Sequence, residues 1–262
     1  MAAHDDVQYL VGSPVRSRIL EALREEPLRP TELTDRVDAT RTTVQRILSG
    51  FQERNWVVKR GPRYTVTVTG RGVLESYETL LEDVERAAKL GPFAAHAGPV
   101  ADRLPWDALE GARVTVPDDR SPFAPVRRLV ELVSAADEDD MRAVSPIVAE
   151  VFNQAAVEFL ETGGSLELII DEGVLEASRA GFPEALDRAR TNGYVDVLVH
   201  PEPLEFGLVA FENRAVLGAY DDENNVRAVV ESDAPGMVEW ATAEYERYRS
   251  RAEPLERLLE GG

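Results

Sequence analysis

The chain is strongly acidic everywhere except in one stretch, and the pattern of that stretch suits few folds. Within residues 39–72 stand Arg41, Arg46, Arg54, Lys59, Arg60, Arg63 and Arg71, with Glu53 the single acid. Val44, Ile47, Leu48 and Phe51 recur at helical spacing and mark one buried face. Thr42, Gln45, Arg46 and Ser49 fall on the outer face, with Arg41 and Thr43 on the flank of the first turn. Residues 56–59 and 64–68 then read as two short strands joined through Arg60-Gly61-Pro62-Arg63. A helix with a polar outer stripe and a hairpin with arginine at its tip together suit DNA. The helix enters a major groove and the hairpin grips phosphate. The alternative is a solvated helix followed by an ordinary hairpin, and the local reversal of charge sign argues against it.

The residues before this stretch complete the arrangement. A short apolar helix over 7–11 breaks at Gly12-Ser13-Pro14, where Ser13 can cap the next helix and Pro14 can occupy its first position. Val15, Ile19, Leu20 and Leu23 form that helix's inner face, and Pro27 stops it. Pro30 or Thr31 opens another helix running through Glu32, Leu33 and Val37. Asp38-Ala39-Thr40 makes the turn, with Thr40 capping the recognition helix. Three helices followed by a hairpin give the winged helix-turn-helix order. The DNA-contacting residues expected from it are Thr31, Arg41, Thr42, Thr43, Gln45, Arg46 and Ser49 on helices, and Lys59, Arg60 and Arg63 on the wing.

Charge divides the chain in the same place. Of 29 Lys+Arg and 48 Asp+Glu, residues 1–72 hold twelve and nine, which leaves seventeen against thirty-nine for the rest, a net of −22. Lys59 and Lys89 are the only lysines, and there is no cysteine. Few lysines, abundant carboxylates and no thiol resemble proteins of salt-accumulating haloarchaea, in which screening removes the self-repulsion of such a surface. The absence of cysteine excludes disulfides, thiol catalysis and Cys-based zinc sites. The N-terminus has no basic-apolar signal region and no apolar run approaches a membrane span, so the chain is expected in the cytoplasm with no membrane partner.

Past the wing, Val73, Tyr77, Leu80, Val84 and Ala87 follow a 4-3-4-3 seam over a helix spanning 73–89. That seam either pairs across a two-fold axis or packs on its own domain. Gly70-Arg71-Gly72 is a strand-to-helix junction rather than a dinucleotide fingerprint, since Glu75 stands where a third glycine would be. Residues 91–111, rich in Ala, Gly and Pro, read as a linker anchored by Trp106 and Leu109.

Beyond it, strands over 112–116, 141–144, 166–170 and 195–199 alternate with helices over 123–136, 147–162 and 174–191, the last broken at Gly181-Phe182-Pro183. That alternation predicts parallel crossovers. Residues 206–211, 215–220 and 226–231 follow with turns alone between them and predict an antiparallel meander, and a helix over 237–251 closes the chain. The expected fold is α/β overall: a winged helix-turn-helix domain over 1–72, a dimerisation helix and linker over 73–111, and an α/β domain with a mixed sheet over 112–262.

The runs RSRILEALREEPLRPTELTDRV, TRTTVQRILSGFQERNWVVKR and YTVTVTGRG resemble the MarR/ArsR-type winged helix of archaeal transcription regulators. Tyr64 to Gly70 is similar to the Y-x-L-T-x-x-G stretch that closes the wing there, with Val66 in place of leucine. The rest, to about residue 254, resembles the C-terminal domain of haloarchaeal regulators related to the methanogenesis-regulatory and TrmB-like groups.

In an open α/β sheet, ligands collect beyond the carboxyl ends of parallel strands, positions held here by Asp118, Ser145, Asp171 and His200. Ser145 precedes Pro146 with no G-x-S-x-G elbow, which argues against a serine hydrolase. The TrmB-like resemblance implies likeness to the phospholipase D fold, whose catalysis needs a His-x-Lys pair. Here Pro201 and Glu202 follow His200, so the lysine is absent. His200 is the sole histidine of the domain, which excludes a multi-histidine metal site. The alternatives are helix caps and turns, or a small-molecule pocket at Ser145, Asp171 and His200. The aromatic set Phe152, Phe159, Phe206, Phe211 and Trp240 is expected to be core.

The chain is therefore expected to be no enzyme and to need no cofactor or metal. It reads as a homodimeric, sequence-specific regulator of a halophilic archaeon that binds double-stranded DNA and responds to a small-molecule effector. The alternatives are an enzyme with an appended nucleic-acid-binding module and a constitutive DNA-binding dimer.

Overall fold

The computed structural model describes residues 3–136 and 138–260, the side chains of residues 259 and 260 excepted. Residues 1, 2, 261 and 262, the outer ends of the expected domains, lie outside the described residues. The chain forms two compact units, Met1–Glu85 and Arg86–Gly262.

The first unit contains α1 (Ala3–Val11), α2 (Pro14–Glu25), α3 (Pro30–Val37), α4 (Arg41–Glu53), β1 (Val57–Arg60), β2 (Arg63–Val66) and the first part of α5 (Val68–Ala94). The inner faces converge as the spacing requires: Ile19, Leu20, Leu23, Leu33, Val44, Ile47, Leu48, Phe51 and Leu74 share one core. Pro14 opens α2 after Ser13, whose side chain makes no cap bond. At α4 the cap is made, Thr40 Oγ1 accepting the Thr43 amide at 3.3 Å. Strands β1 and β2 pair antiparallel from Val57↔Val66 to Arg60↔Arg63. Gly61, at φ +59°, supplies the left-handed residue of the two-residue turn. Leu28 adds an isolated antiparallel bridge to the wing, exchanging backbone bonds of 3.0 and 2.7 Å with Tyr64.

The wing ends sooner than its apolar pattern suggests, because Thr67 caps a helix. Its Oγ1 accepts the Gly70 amide at 3.0 Å, while its own amide donates to the Trp56 carbonyl at 2.9 Å. Gly70 and Gly72 accordingly lie inside α5 rather than at a junction. A Cβ at Gly70 would fall 2.0 Å from the Trp56 carbonyl oxygen, so glycine is what lets the helix start there.

The second unit contains the rest of α5, two 3-10 turns (Gly98–Arg103 and Trp106–Leu109), β3 (Arg113–Thr115), α6 (Ala124–Ser134), β4 (Asp140–Val144), α7 (Glu150–Glu161) and β5 (Ser165–Asp171). There follow α8 (Glu172–Gly181), α9 (Pro183–Thr191), β6 (Val195–His200), β7 (Phe206–Ala210), β8 (Ala215–Tyr220), β9 (Val226–Ser232), α10 (Pro235–Arg249), β10 (Glu253–Pro254) and α11 (Leu255–Glu260). One eight-stranded sheet runs β10-β6-β5-β4-β7-β8-β9-β3. Strands β4, β5 and β6 are parallel, joined through α7 and the α8–α9 pair. Strands β7 to β9 form the expected antiparallel meander.

Two expectations fail here. The strand over 112–116 does not join the parallel set: β3 lies at the far edge, antiparallel to β9, with Arg113 opposite Glu231. An Arg113–Glu231 ion pair at 3.2 Å helps hold it there. The stretch over 91–111 is not a loose linker either. Phe93, Ala97, Val100 and Leu109 are buried with Leu208, Leu217 and Met237 in the core beneath one sheet face, which α10 also covers. The other face carries α6 and α7, with α8 and α9 over its parallel end. Both faces being covered, β8 is buried along its whole length.

Candidate nucleic-acid interface

In the winged unit, α4 turns its expected outer residues to solvent. Arg41, Thr42, Gln45, Arg46 and Ser49 are exposed and Thr43 is half-buried, its hydroxyl 2.9 Å from that of Thr40. Thr31 is exposed at the start of α3. On the wing, Lys59 and Arg60 are exposed, with Lys59 Nζ 5.6 Å from the centre of the Tyr64 ring.

The cations of this unit differ in how they are held. Arg54 has only 12 % of its side chain exposed and bonds Asp6 at 2.8 Å. Its guanidinium also lies 3.9 Å above the Tyr9 ring, so it clamps α1 to the core. Arg63 points back from the wing, donating to the Pro27 carbonyl at 2.7 Å and to both Glu32 oxygens at 3.1 and 3.2 Å. Arg24 and Arg36 are paired with glutamates. Arg41, Arg46, Lys59 and Arg60 have no carboxylate partner among the described residues. A recognition-helix face and a wing thus carry four such cations, while Arg63 braces the wing against α3. Arg18, Arg29 and Arg71 are likewise exposed without a carboxylate partner among the described residues.

In the α/β unit, Ser145, Asp171 and His200 do lie at the carboxyl ends of adjacent parallel strands, with Asp171 opposite His200 in register. Asp118, at the end of β3, is four strands away from β4 and accepts the Arg120 and Ser121 amides at 2.7 Å each. Each member of the trio is engaged with the chain itself. Ser145 Oγ donates to the Ile147 carbonyl at 2.7 Å. Asp171 is buried, with Oδ1 accepting the Val174 amide at 2.8 Å and Oδ2 the Leu204 amide at 2.9 Å, so it caps α8 and pins the loop between β6 and β7. His200 is 1 % exposed. Its Nδ1 sits 2.9 Å from the Glu202 carbonyl, and its ring is 5.2 Å from that of Tyr248. His200 Nε2 has no partner among the described residues, but it is enclosed on the α10 side of the sheet. The capping role weighed for these residues is the one that their bonds describe. Of the aromatic set, Phe159, Phe206 and Phe211 are core, whereas Phe152 and Trp240 are half-buried.

A helix-turn-helix with a wing, followed by a layered α/β unit, is the build of a regulator that joins a reading head to a second domain. The sequence assigns it more narrowly: residues 4–89 match the family model of the HVO_A0261 N-terminal domain, and residues 122–251 match that of the middle domain of the methanogenesis regulatory protein FilR1. Together these place the chain among the archaeal transcription regulators. No curated protein matches its sequence. Among solved structures, the archaeal chromatin protein TrmBL2 is similar over 92 % of each chain at 12 % identity and a TM-score of 0.44. The phospholipase D family member Nuc from Salmonella typhimurium is similar over 55 % of this chain and 97 % of its own, at 15 % identity and a TM-score of 0.42. Neither likeness is strong enough to decide function. Among the described residues no helix is long and apolar enough to cross a membrane.

Proposed function

We propose that the chain is a sequence-specific DNA-binding transcriptional regulator of a halophilic archaeon, acting as a homodimer and tuned by a small molecule through its α/β unit. The observation that carries this reading is the set Arg41, Arg46, Lys59 and Arg60: exposed on α4 and the wing, without carboxylate partners among the described residues, in a stretch whose single acid is Glu53. In a chain of formal net charge −19, cations left unpaired on one such surface are suited to phosphate and base edges. Gln45 matches the N6/N7 edge of adenine and Arg46 the O6/N7 edge of guanine, each good pair contributing about 1–3 kcal/mol of discrimination. Arg41, Lys59 and Arg60 take phosphate, with Thr31, Thr42, Thr43 and Ser49 as hydroxyl contacts along the same surface. Arg63 contributes by fixing the wing through Glu32.

Selection of random duplexes by the full chain tests the reading. It should return a two-fold symmetric motif whose half-sites lie about 34–36 Å apart or a multiple of that. Arg46→Ala should relax preference at one base position in each half-site, and Arg60→Ala should weaken all sequences alike. No enrichment, or uniform weakening by both variants, refutes the assignment.

A further inference from the structure

On the sheet face opposite α10, a cavity of about 160 Å3 separates the middle of the sheet from α7, α8 and α9. Leu168, Ile170 and Val209 line it from the strands, and Phe152, Ala156 and Leu186 from the helices. Leu168 and Val209 stand mid-strand beneath helices yet remain only half-buried, so the helices do not close onto the sheet. Protein interiors rarely leave voids larger than a water molecule.

Four polar side chains interrupt the apolar wall, and two of them are bonded within the chain, Ser145 Oγ to the Ile147 carbonyl and Ser178 Oγ to the Val174 carbonyl. The Tyr220 ring lies over Gly207 and Gly218, which stand opposite each other in register. A Cβ on Gly207 would fall 2.6 Å from the Tyr220 hydroxyl oxygen, so this pair of glycines makes the room the ring occupies. That hydroxyl has no hydrogen-bond partner among the described residues, and burial raises it above the ordinary tyrosine range, keeping it protonated. Asn153 on α7 also lines the cavity, and its Nδ2 is shielded from solvent without a partner among the described residues.

We propose that this cavity binds a small, neutral, mostly apolar molecule with one hydrogen-bonding group, of the phenol class, and that its occupancy is the signal that tunes DNA binding. The second half rests on the function proposed above. Neutrality follows from the lining, which holds no lysine or arginine, so an anion would lose its hydration without gaining a counter-charge. The polar handle follows from Asn153, whose shielded Nδ2 is costly to leave unmade, and from the unpartnered Tyr220 hydroxyl, each a donor to a ligand oxygen. Size follows from the volume: an apolar protein cavity of about 150 Å3 holds one benzene ring. The effector is therefore assigned here and not to the polar sheet edge, where Asp171 and His200 are engaged internally; Ser145 borders the cavity but its hydroxyl is bonded to the Ile147 carbonyl.

The test is thermal unfolding of the full chain in molar KCl with phenol, toluene or benzoate. Phenol should raise Tm in a saturable way, toluene should raise it less, and benzoate should not shift it. Ala156→Leu, which extends a side chain into the cavity, should raise Tm without ligand and remove the phenol shift. Ala189→Leu, from the α9 wall, replaces it if that variant fails to fold. Tyr220→Phe should reduce the phenol shift to the toluene level and leave the toluene shift intact. No phenol shift in the wild type, a shift that survives the filled cavity, or a benzoate shift equal to that of phenol overturns the site. Duplex binding is read in the same samples. A phenol shift with unchanged DNA affinity removes the regulatory half, whereas no DNA binding under any condition refutes the DNA reading and leaves the cavity standing.

Discussion

Glu244 shows how an acidic chain keeps a carboxylate ionised in its interior. It lies on α10 with 6 % of its side chain exposed, bonded by Arg103 at 2.6 Å and by Arg247 at 2.7 and 3.1 Å. Burial alone would raise the carboxyl, but the bonds from Arg247 and Arg103 outweigh it and hold it below the usual carboxylate range. Glu167 is held low in the same sense, burial being outweighed by Arg249 and the Tyr245 hydroxyl. A depressed folded-state value means stability that is present above the usual carboxylate range and lost as pH falls through the folded value. Glu244→Gln should therefore cost about 1–3 kcal/mol at neutral pH, with the gap to wild type narrowing on acidification. Urea melts across the acid range check this, and parallel stability curves would show that the carboxylate is not held by charge. At the wing, Thr67→Ala removes the α5 cap and should cost about 1 kcal/mol. Gly70→Ala forces a Cβ against the Trp56 carbonyl and should cost roughly 1–3 kcal/mol.

Among the elements, α5 carries two roles along its length. Val73, Leu74 and Tyr77 pack on the winged core, whereas Leu80, Leu81 and Val84 are 47 %, 46 % and 57 % exposed. Val7 and Val11 of α1, 53 % and 47 % exposed, line an apolar groove with Tyr77 and Leu80 within the same unit. The first part of the heptad seam thus packs on its own domain, and the exposed part is the proposed dimer contact. Leu80→Glu with Val84→Glu should give a folded monomer that binds DNA poorly. Sedimentation of the wild type as a monomer at working salt would end that proposal. Most helices and strands were legible to within a few residues because their periods and their Gly/Pro punctuation are local properties. However, α5 runs five residues past its expected span at each end, and β10 and α11 follow the helix expected to close the chain. What failed was non-local. The place of β3 in the sheet depends on pairing with β9, more than a hundred residues on. The Ala, Gly and Pro content of 91–111 reads as linker, yet Phe93, Val100 and Leu109 sink into the sheet core. At the candidate site the outer face of α4 follows from spacing alone, but the pairing of Arg63 with Glu32 does not. The one sequence sign of the cavity was a glycine in each of two adjacent apolar strands, Gly207 and Gly218, since strand glycines mark close approach.

At the scale of the molecule, salt acts on the two charge populations in opposite ways. Residues 73–262 carry seventeen cations against thirty-nine acids, and their self-repulsion weakens as salt shortens the Debye length to about 3 Å near 1 M. The winged unit depends on the reverse effect, because phosphate binding draws on counterion release, which salt opposes. With Arg41, Lys59 and Arg60 on phosphate in each protomer, a dimer makes about six such contacts, and log K should fall against log[KCl] with a slope of about −5. Arg60→Ala removes two of them per dimer and should make the slope shallower by about 2. Over the same titration Tm of the free protein should rise. In molar salt, discrimination must then come from the direct base contacts of Gln45 and Arg46, which screening touches least, so the ratio of specific to non-specific affinity should grow as absolute affinity falls. Anisotropy titrations on cognate and scrambled duplexes, run beside thermal melts from low to molar KCl, measure all three quantities. A slope near zero would remove the phosphate assignments, and a Tm that stays flat or falls with salt would remove the halophilic reading.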